Sequence, residues 1–113
     1  MHELSVVMSI VETAAEQVRE NNAKSVERID LVIGALAGID EHALDFAWDV
    51  AVKNTVLQDA ERNIIALPGK AKCVECELEF EMKEIFDPCP KCGEHLNQVL
   101  QGKELLIKSM VLN

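Results

Sequence analysis

The chain has 113 residues, a length that fits one ordinary domain or a small domain carrying a smaller module. Its net charge of −9 argues against nucleic acid as a partner, because binding DNA or RNA relies on Lys and Arg to neutralise phosphates. No apolar run approaches the ~20 residues that span a bilayer, and no secretory signal is recognisable, so we expect a cytoplasmic protein with no membrane partner.

The first predicted elements are a helix and a strand. Apolar residues recur at helical spacing from Leu4 to Val18, with charged residues on the opposite face, and the NNAK stretch at 21–24 ends the pattern. Apolar and polar residues then alternate over 29–33, which predicts a strand. Gly34 and Gly38 bracket the turn that follows it.

A second helix is predicted over 39–55, with Asp40 as its N-cap and Trp48 as a core anchor. The segment RNIIALPG at 62–69 indicates a short strand closed by a Pro-Gly turn. The tail at 103–113 predicts a last strand. On that strand we expect one face to hold Leu105, Ile107 and Val111.

This order predicts an α+β fold: two helices packed on a small three-stranded sheet, with an inserted zinc-ribbon-like module of β-hairpins and knuckles. The module counts as an insertion because a strand of the first domain returns after it. We therefore predict a first domain made of residues 1–68 plus 102–113, and a second, zinc-binding domain made of residues 69–101.

The four cysteines form two Cys-x-x-Cys pairs, Cys73 with Cys76 and Cys89 with Cys92, twelve residues apart. Two such turns can supply four thiolates in the tetrahedron that Zn²⁺ accepts. Disulfides and a thiol redox pair are the alternatives, and the absence of an export signal and of a thioredoxin-like context disfavours them. A site closed by four sulfurs has no open coordination position, so the predicted zinc is structural.

The chain begins Met-His-Glu, which offers a second metal site. The Met1 amine, the His2 imidazole and the backbone amides of His2 and Glu3 can close fused chelate rings around one ion. Four nitrogens in a plane are what Ni(II) or Cu(II) favours. On residues alone, an incidental histidine at position 2 remains the alternative.

Two further histidines are present, His42 in the first turn of the second helix and His95 shortly after the last cysteine. Both are interpreted as exposed polar residues. His95 could also act as a hydrogen-bond donor beside the zinc site or as an alternative ligand, and the sequence does not decide this.

Several motifs in the same order resemble those of the HypA/HybF family: MHELS, IGALAGID, PGKAKC, FDPCPKCG and QGKELLIKSM. These are the nickel chaperones of [NiFe]-hydrogenase maturation. The resemblance implies a nickel-binding α/β domain, a small zinc domain, and delivery of Ni(II) to the hydrogenase large-subunit precursor together with a GTPase partner. Some members also serve urease.

The resemblance also implies site residues. It assigns nickel binding to Met1, His2 and Glu3, and it places Asp40 at the position of an acid that lies near the nickel in the family. An N-cap role is the competing explanation for Asp40, and both roles can hold. The zinc ligands implied by the resemblance are the four residues Cys73, Cys76, Cys89 and Cys92.

Together these features predict a nickel metallochaperone that is not an enzyme, with Ni(II) as cargo and Zn(II) as a structural ion. No catalytic array of Ser, His and Asp and no glycine-rich phosphate loop is present in the sequence. The alternative is a zinc-ribbon module that binds protein or nucleic acid, with MHE incidental. A monomer and a weak homodimer are both compatible with the sequence.

Overall fold

The structure is a computed structural model, and it describes residues 3–113. Its elements, in chain order, are α1 (Glu3–Glu20), β1 (Val26–Gly34), α2 (Glu41–Ala51), β2 (Glu61–Leu67), β3 (Gly69–Cys73), β4 (Glu79–Met82), β5 (Asn97–Gln101) and β6 (Leu105–Leu112). The strands form two three-stranded sheets, ordered β2-β1-β6 and β4-β3-β5. The predicted α+β class, with two helices, a small three-stranded sheet and a zinc-ribbon-like module that bears the cysteines, is confirmed. Within the described chain, no helix is long and apolar enough to cross a membrane.

Helix α1 buries a stripe that is narrower than the sequence suggested. The fully or almost fully buried positions are Val7, Ile10, Ala14 and Val18, spaced three or four residues apart as one helix face requires. Leu4 and Met8 belong to the same apolar pattern, but both are exposed. The buried stripe packs α1 against α2.

Helix α2 begins as its N-cap predicts. Asp40 has extended backbone angles, and its Oδ1 accepts a hydrogen bond of 3.0 Å from the N–H of Ala43. Trp48 is buried on the inner face, as expected of a core anchor. The Arg62 guanidinium lies 5.2 Å from the centre of the Trp48 ring and pairs with Asp45 on the same helix, which ties β2 to α2.

Strand β6 departs from the expected alternation. Its half-buried residues alternate up to Ile107, and the pattern then shifts by one at Lys108 and Ser109. Val111 is exposed whereas Leu105 and Ile107 are half-buried, so the burial expected along this face does not extend to Val111.

A polar contact accompanies the shift. The Ser109 hydroxyl donates to Asp30 Oδ2 at 2.8 Å, and Arg28 Nε donates to Asp30 Oδ1 at 3.0 Å. These two donors, Ser109 first, hold the pKa of the Asp30 carboxyl below its usual range. The hydroxyl of Ser109 thus faces β1 at the point where an apolar side chain would have continued the alternation.

The chain divides into two compact units, which we name here and describe separately. The helical unit comprises the described residues up to Leu31 together with Ile39–Ile64 and Ile107–Asn113. The cysteine unit comprises Val32–Gly38 and Ile65–Leu106. The domain bounds inferred from the sequence stay a prediction.

The cysteine unit is built on β3, which lies between two antiparallel partners. Ala71 is the central residue, opposite Phe80 on β4 and Val99 on β5. The unit has a small core of Leu36, Ala71 and Met82, against which the side chains of Phe80 and Val99 pack. So few buried side chains leave this unit with little apolar area to stabilise it.

The backbone of the cysteine unit also contains a close approach. The N–H of Gly34 donates to the Glu104 carbonyl at 2.8 Å, and the N–H of Leu36 donates to the Gly102 carbonyl at 2.7 Å. Gly34 and Gly102 therefore face each other at backbone contact. A side chain on Gly34 has no space there.

Candidate metal centre

Four sulfurs converge at one end of the cysteine unit. The Sγ atoms of the four cysteines all lie within 4.8 Å of one another. Two of these separations are 3.5 Å, between Cys73 and Cys92, and 3.6 Å, between Cys76 and Cys89. A disulfide would need about 2.05 Å. A tetrahedron with Zn–S bonds of ~2.3 Å has sulfur–sulfur edges of about 3.8 Å, so the arrangement fits zinc.

The first knuckle is a tight turn closed by its own backbone. The N–H of Cys76 donates to Cys73 Sγ at 3.4 Å, and the N–H of Glu77 donates to the Cys73 carbonyl at 3.1 Å. In return, the N–H of Cys73 donates to the Leu78 carbonyl at 2.9 Å. These bonds turn both sulfurs of the pair to the same side.

The second knuckle repeats the two backbone–backbone bonds, and its amide donor to sulfur comes one residue earlier in the turn. The N–H of Lys91 donates to Cys89 Sγ at 3.4 Å, the N–H of Gly93 donates to the Cys89 carbonyl at 2.9 Å, and the N–H of Cys89 donates to the Glu94 carbonyl at 2.9 Å. Each cysteine pair is therefore carried by the same local fold. Amide donors to the sulfurs favour the thiolate that a metal requires.

The fifth residue of each knuckle has a left-handed backbone. Gly93 has φ of 81°, and Glu77, at the equivalent position of the first knuckle, has φ of 61°. A residue with a side chain is destabilised in this conformation by roughly 1–2 kcal/mol, whereas glycine is not. Glycine is more flexible in the unfolded chain, and this offsets part of its advantage.

We expect Glu77→Gly to stabilise the zinc-loaded chain by about 0.5–1 kcal/mol, because glycine adopts the left-handed conformation without strain. Thermal and denaturant unfolding of the zinc-loaded protein measure the change. Gly93→Ala is the matched control and should destabilise the chain. A lower midpoint for Glu77→Gly than for the unmodified chain would contradict the expectation.

The pKa values of the Cys89 and Cys92 thiols are shifted in opposite directions. Burial raises the pKa of the Cys89 thiol, but backbone N–H donors from Cys92 and Lys91 outweigh it and bring that pKa down to about 6. For Cys92, the Glu94 N–H lowers the pKa, but the surrounding sulfurs, Cys73 first, raise it to about 12. Four thiolates at this spacing repel one another, and a divalent cation among them removes the repulsion.

The second candidate site lies only partly in the described chain. Met1 and His2, two of the residues expected to bind nickel, fall outside the described residues. Glu3, the third, is the first residue of α1, and its Oε2 accepts a hydrogen bond of 3.1 Å from the N–H of Asp40. This donor is the main reason that the pKa of the Glu3 carboxyl lies below its usual value.

Glu3 and Asp40 thus meet although 37 residues separate them in the sequence. The contact uses the Asp40 main-chain N–H, whereas its carboxylate caps α2. A main-chain donor leaves no mark in the sequence. Two other signals pointed to this position: the N-cap signature, which places Asp40 at the start of a helix, and the family resemblance, which places an acid near the nickel there.

The histidines of the described chain lie apart from the four sulfurs. His42 is exposed in the first turn of α2, and His95 is exposed three residues after Cys92. Within residues 3–113, the cluster of metal-ligating side chains consists of the four cysteines and includes neither histidine.

Comparison with known proteins agrees with this picture. The family profile described as "Hydrogenase/urease nickel incorporation, metallochaperone, hypA" matches residues 1–112. The hydrogenase maturation factor HypA of Parabacteroides distasonis is 43% identical over 112 residues, covering 99% of this chain and 97% of that protein. HypA of Francisella philomiragia is 41% identical over 113 residues, covering all of both chains.

A solved structure shows the same fold. The solution structure of the Ni metallochaperone HypA from Helicobacter pylori matches with a TM-score of 0.69 and 26% identity, over 99% of this chain and 97% of that one. The resemblance inferred from the motifs is confirmed, and the clustered cysteines fit the structural zinc expected beside a nickel function. The chain belongs to the HypA family of metallochaperones for nickel incorporation into hydrogenase and urease.

Proposed function

We propose that this chain binds Ni(II) at its Met-His-Glu start and delivers it to the large-subunit precursor of a [NiFe]-hydrogenase, with urease as a second client. The observation that carries the proposal is the contact of Glu3 with Asp40. It fixes the residue that directly follows His2 against the first turn of α2. A fixed attachment lowers the entropy that the terminal nitrogens lose when they close around an ion.

The donor set suits nickel. The Met1 α-amine has an ordinary pKa of about 7.7–8.0, so a metal can displace its proton near neutral pH. The His2 imidazole and the amides of His2 and Glu3 complete four nitrogens in a plane, which Ni(II) accepts and Zn²⁺ does not favour. Affinity should fall in acid, because these nitrogens then regain protons.

Asp40 fits the role of an anchor better than that of a ligand. Its N–H holds the Glu3 carboxylate and its Oδ1 holds the Ala43 N–H. Turning the carboxylate toward a metal would break the cap, which costs about 0.5–2 kcal/mol. The Asp40 carboxylate can cap α2 while the Asp40 N–H holds Glu3. Asp40 therefore contributes to the proposed nickel site by positioning Glu3.

The zinc site is proposed to be structural, with Cys73, Cys76, Cys89 and Cys92 as its four ligands. Four thiolates leave no coordination position for a substrate. We therefore propose no enzymatic activity for the chain, and any nucleotide hydrolysis during delivery belongs to the GTPase partner of the pathway. No observation favours the alternative of a zinc-ribbon module that binds nucleic acid.

Nickel titration tests the site. We expect the unmodified chain to bind one Ni(II), and His2→Ala or N-acetylation of Met1 to weaken binding by roughly two orders of magnitude or more, since the first change removes the imidazole from the chelate and the second removes the amine. Isothermal titration calorimetry and the visible absorption of planar Ni(II) provide the readouts. His42→Ala, a change at an exposed histidine of α2, is the control and should bind like the unmodified chain.

The same titration separates the two roles of Asp40. Asp40→Asn retains both the N-cap and the main-chain N–H, so an anchor would tolerate it and a carboxylate ligand would not. Unchanged affinity in both His2→Ala and the N-acetylated chain would rule out the terminal site.

A further inference from the structure

The cysteine unit contains a cavity of about 180 Å³ away from the sulfurs. Its apolar wall includes Ile85, Phe86, Leu96 and Val99, and Lys103 also lines it. For comparison, an apolar cavity of ~150 Å³ holds a benzene molecule. The space is therefore sufficient for one large apolar side chain of another molecule.

Two side chains of the wall are directed mainly to solvent. Phe86 is 72% exposed and Leu96 is 69% exposed, although both are large and apolar and the unit has few apolar residues to form its core. Single exposed apolar residues are ordinary, but these two border the same cavity. Together with Ile85, which is also exposed, they form an apolar rim around an apolar depression.

The backbone holds the Phe86 ring in this position at a cost. Phe86 has φ of 70°, a left-handed conformation that bulky residues rarely adopt. Asp87 fixes the loop, since its Oδ2 accepts two backbone N–H groups, from Lys83 and Glu84, at 3.0 Å each. Asn97 Nδ2 donates to the Asp87 carbonyl at 3.2 Å, which fastens the loop to β5. Residues held in strained backbone conformations cluster at active sites, ligand clamps and switch regions.

The charge of the cavity differs from that of the chain. The sequence contains 20 acidic and 11 basic residues, yet the ionisable side chains that line the cavity are those of Lys103 and His95, with no carboxylate among the lining residues. An ammonium group beside an apolar depression attracts a carboxylate carried by an apolar segment.

We propose that this surface, defined by Ile85, Phe86, Leu96, Val99 and Lys103, is a docking site for an acidic, apolar peptide segment of a partner protein. One large apolar side chain of the segment enters the cavity, and the Phe86 ring and Leu96 cover it. A neighbouring carboxylate of the segment pairs with Lys103. The surface is independent of the proposed nickel site, because its residues all belong to the cysteine unit.

Peptide binding to the zinc-loaded full chain tests the proposal. The probe is a fluorescent N-acetylated peptide, EELFEE, compared with KKLFKK and EESGEE by anisotropy. We expect EELFEE to bind at least about ten-fold more tightly than either comparison peptide, since only it combines an apolar anchor with carboxylates. Amide shifts in its NMR titration should concentrate at 83–88, 95–99 and 103.

Variants of the surface sharpen the test. Phe86→Asn removes the ring but keeps a residue that tolerates the left-handed backbone, and with Leu96→Ser it should weaken EELFEE binding about ten-fold or more. Lys103→Glu should weaken EELFEE about three-fold or more and strengthen KKLFKK. The control is Leu100→Ser on β5, an exposed leucine outside this cavity, which should change nothing.

Several outcomes would overturn the proposal. These are no binding of EELFEE, equal binding of EELFEE and KKLFKK, or unchanged affinity in both Phe86→Asn and Leu96→Ser. Sedimentation gives a further one: if the chain self-associates and these two variants abolish the association without changing peptide binding, the surface belongs to a second copy of the chain.

Discussion

Removing zinc should unfold the cysteine unit while the helical unit keeps its structure. The small core of Leu36, Ala71 and Met82 cannot stabilise this many residues alone. In zinc-finger peptides the apparent binding free energy of a structural zinc is about 10–16 kcal/mol, and that binding energy is what folds them. The helical unit has its own larger core, which includes Val7, Leu44 and Trp48.

The measurement is an amide NMR spectrum before and after treatment with a strong zinc chelator, repeated for Cys89→Ser. We expect the dispersed signals of the cysteine unit to collapse in both cases, because Cys89 is a buried member of the sulfur cluster. Val74→Ser, at an exposed position inside the first knuckle, is the matched control and should retain zinc. Dispersed signals from β3 to β5 in the chelated chain would contradict this dependence.

Gly34→Ala should destabilise the zinc-loaded chain by about 3 kcal/mol or more. A Cβ at position 34 would overlap the Gly102 carbonyl and lie 2.7 Å from the Gly102 Cα, and these are backbone atoms that cannot rotate away. Relief requires separating the two segments, which breaks the hydrogen bonds from Gly34 to Glu104 and from Leu36 to Gly102.

Denaturant unfolding of the zinc-loaded protein measures this change. Gly38→Ala is the comparison, because a Cβ there would meet nothing within 4 Å while its φ of 75° still penalises alanine. It should lose only about 1–2 kcal/mol. A loss for Gly34→Ala no greater than that for Gly38→Ala would show that the two segments can move apart freely.

Much of the helical unit could be predicted because its elements have strong periodicity. The α1 pattern and the Asp40 cap define both helices. Strands β3 and β5 escaped notice, since GKAKC and NQVLQ contain few residues that favour a strand. Their pairing depends on partners distant in the sequence, such as Ala71 with Val99. Strands β3 and β5 therefore form because of their tertiary contacts, and their own residues do not predict them.

The metal centre likewise has features that the sequence predicts and features that it does not. Spacing alone identified the four cysteines, because two Cys-x-x-Cys turns have few other uses in such a chain. The left-handed Glu77 could not be predicted, since nothing about a glutamate indicates a positive φ. The docking surface was also not predicted, because the β4–β5 connection carries no periodic pattern that would bring Phe86 and Leu96 to one cavity.

The hydrogen bond between Glu3 and the Asp40 N–H faces solvent, and a single solvent-exposed hydrogen bond adds little net stability. Since this donor lowers the pKa of Glu3, the bond is present at neutral pH and is lost as pH falls through that lowered value. Opening it leaves the buried stripe of α1 in place. If Ni(II) binds at this terminus as proposed, we expect its release to require the opening of this one contact and no unfolding of either helix.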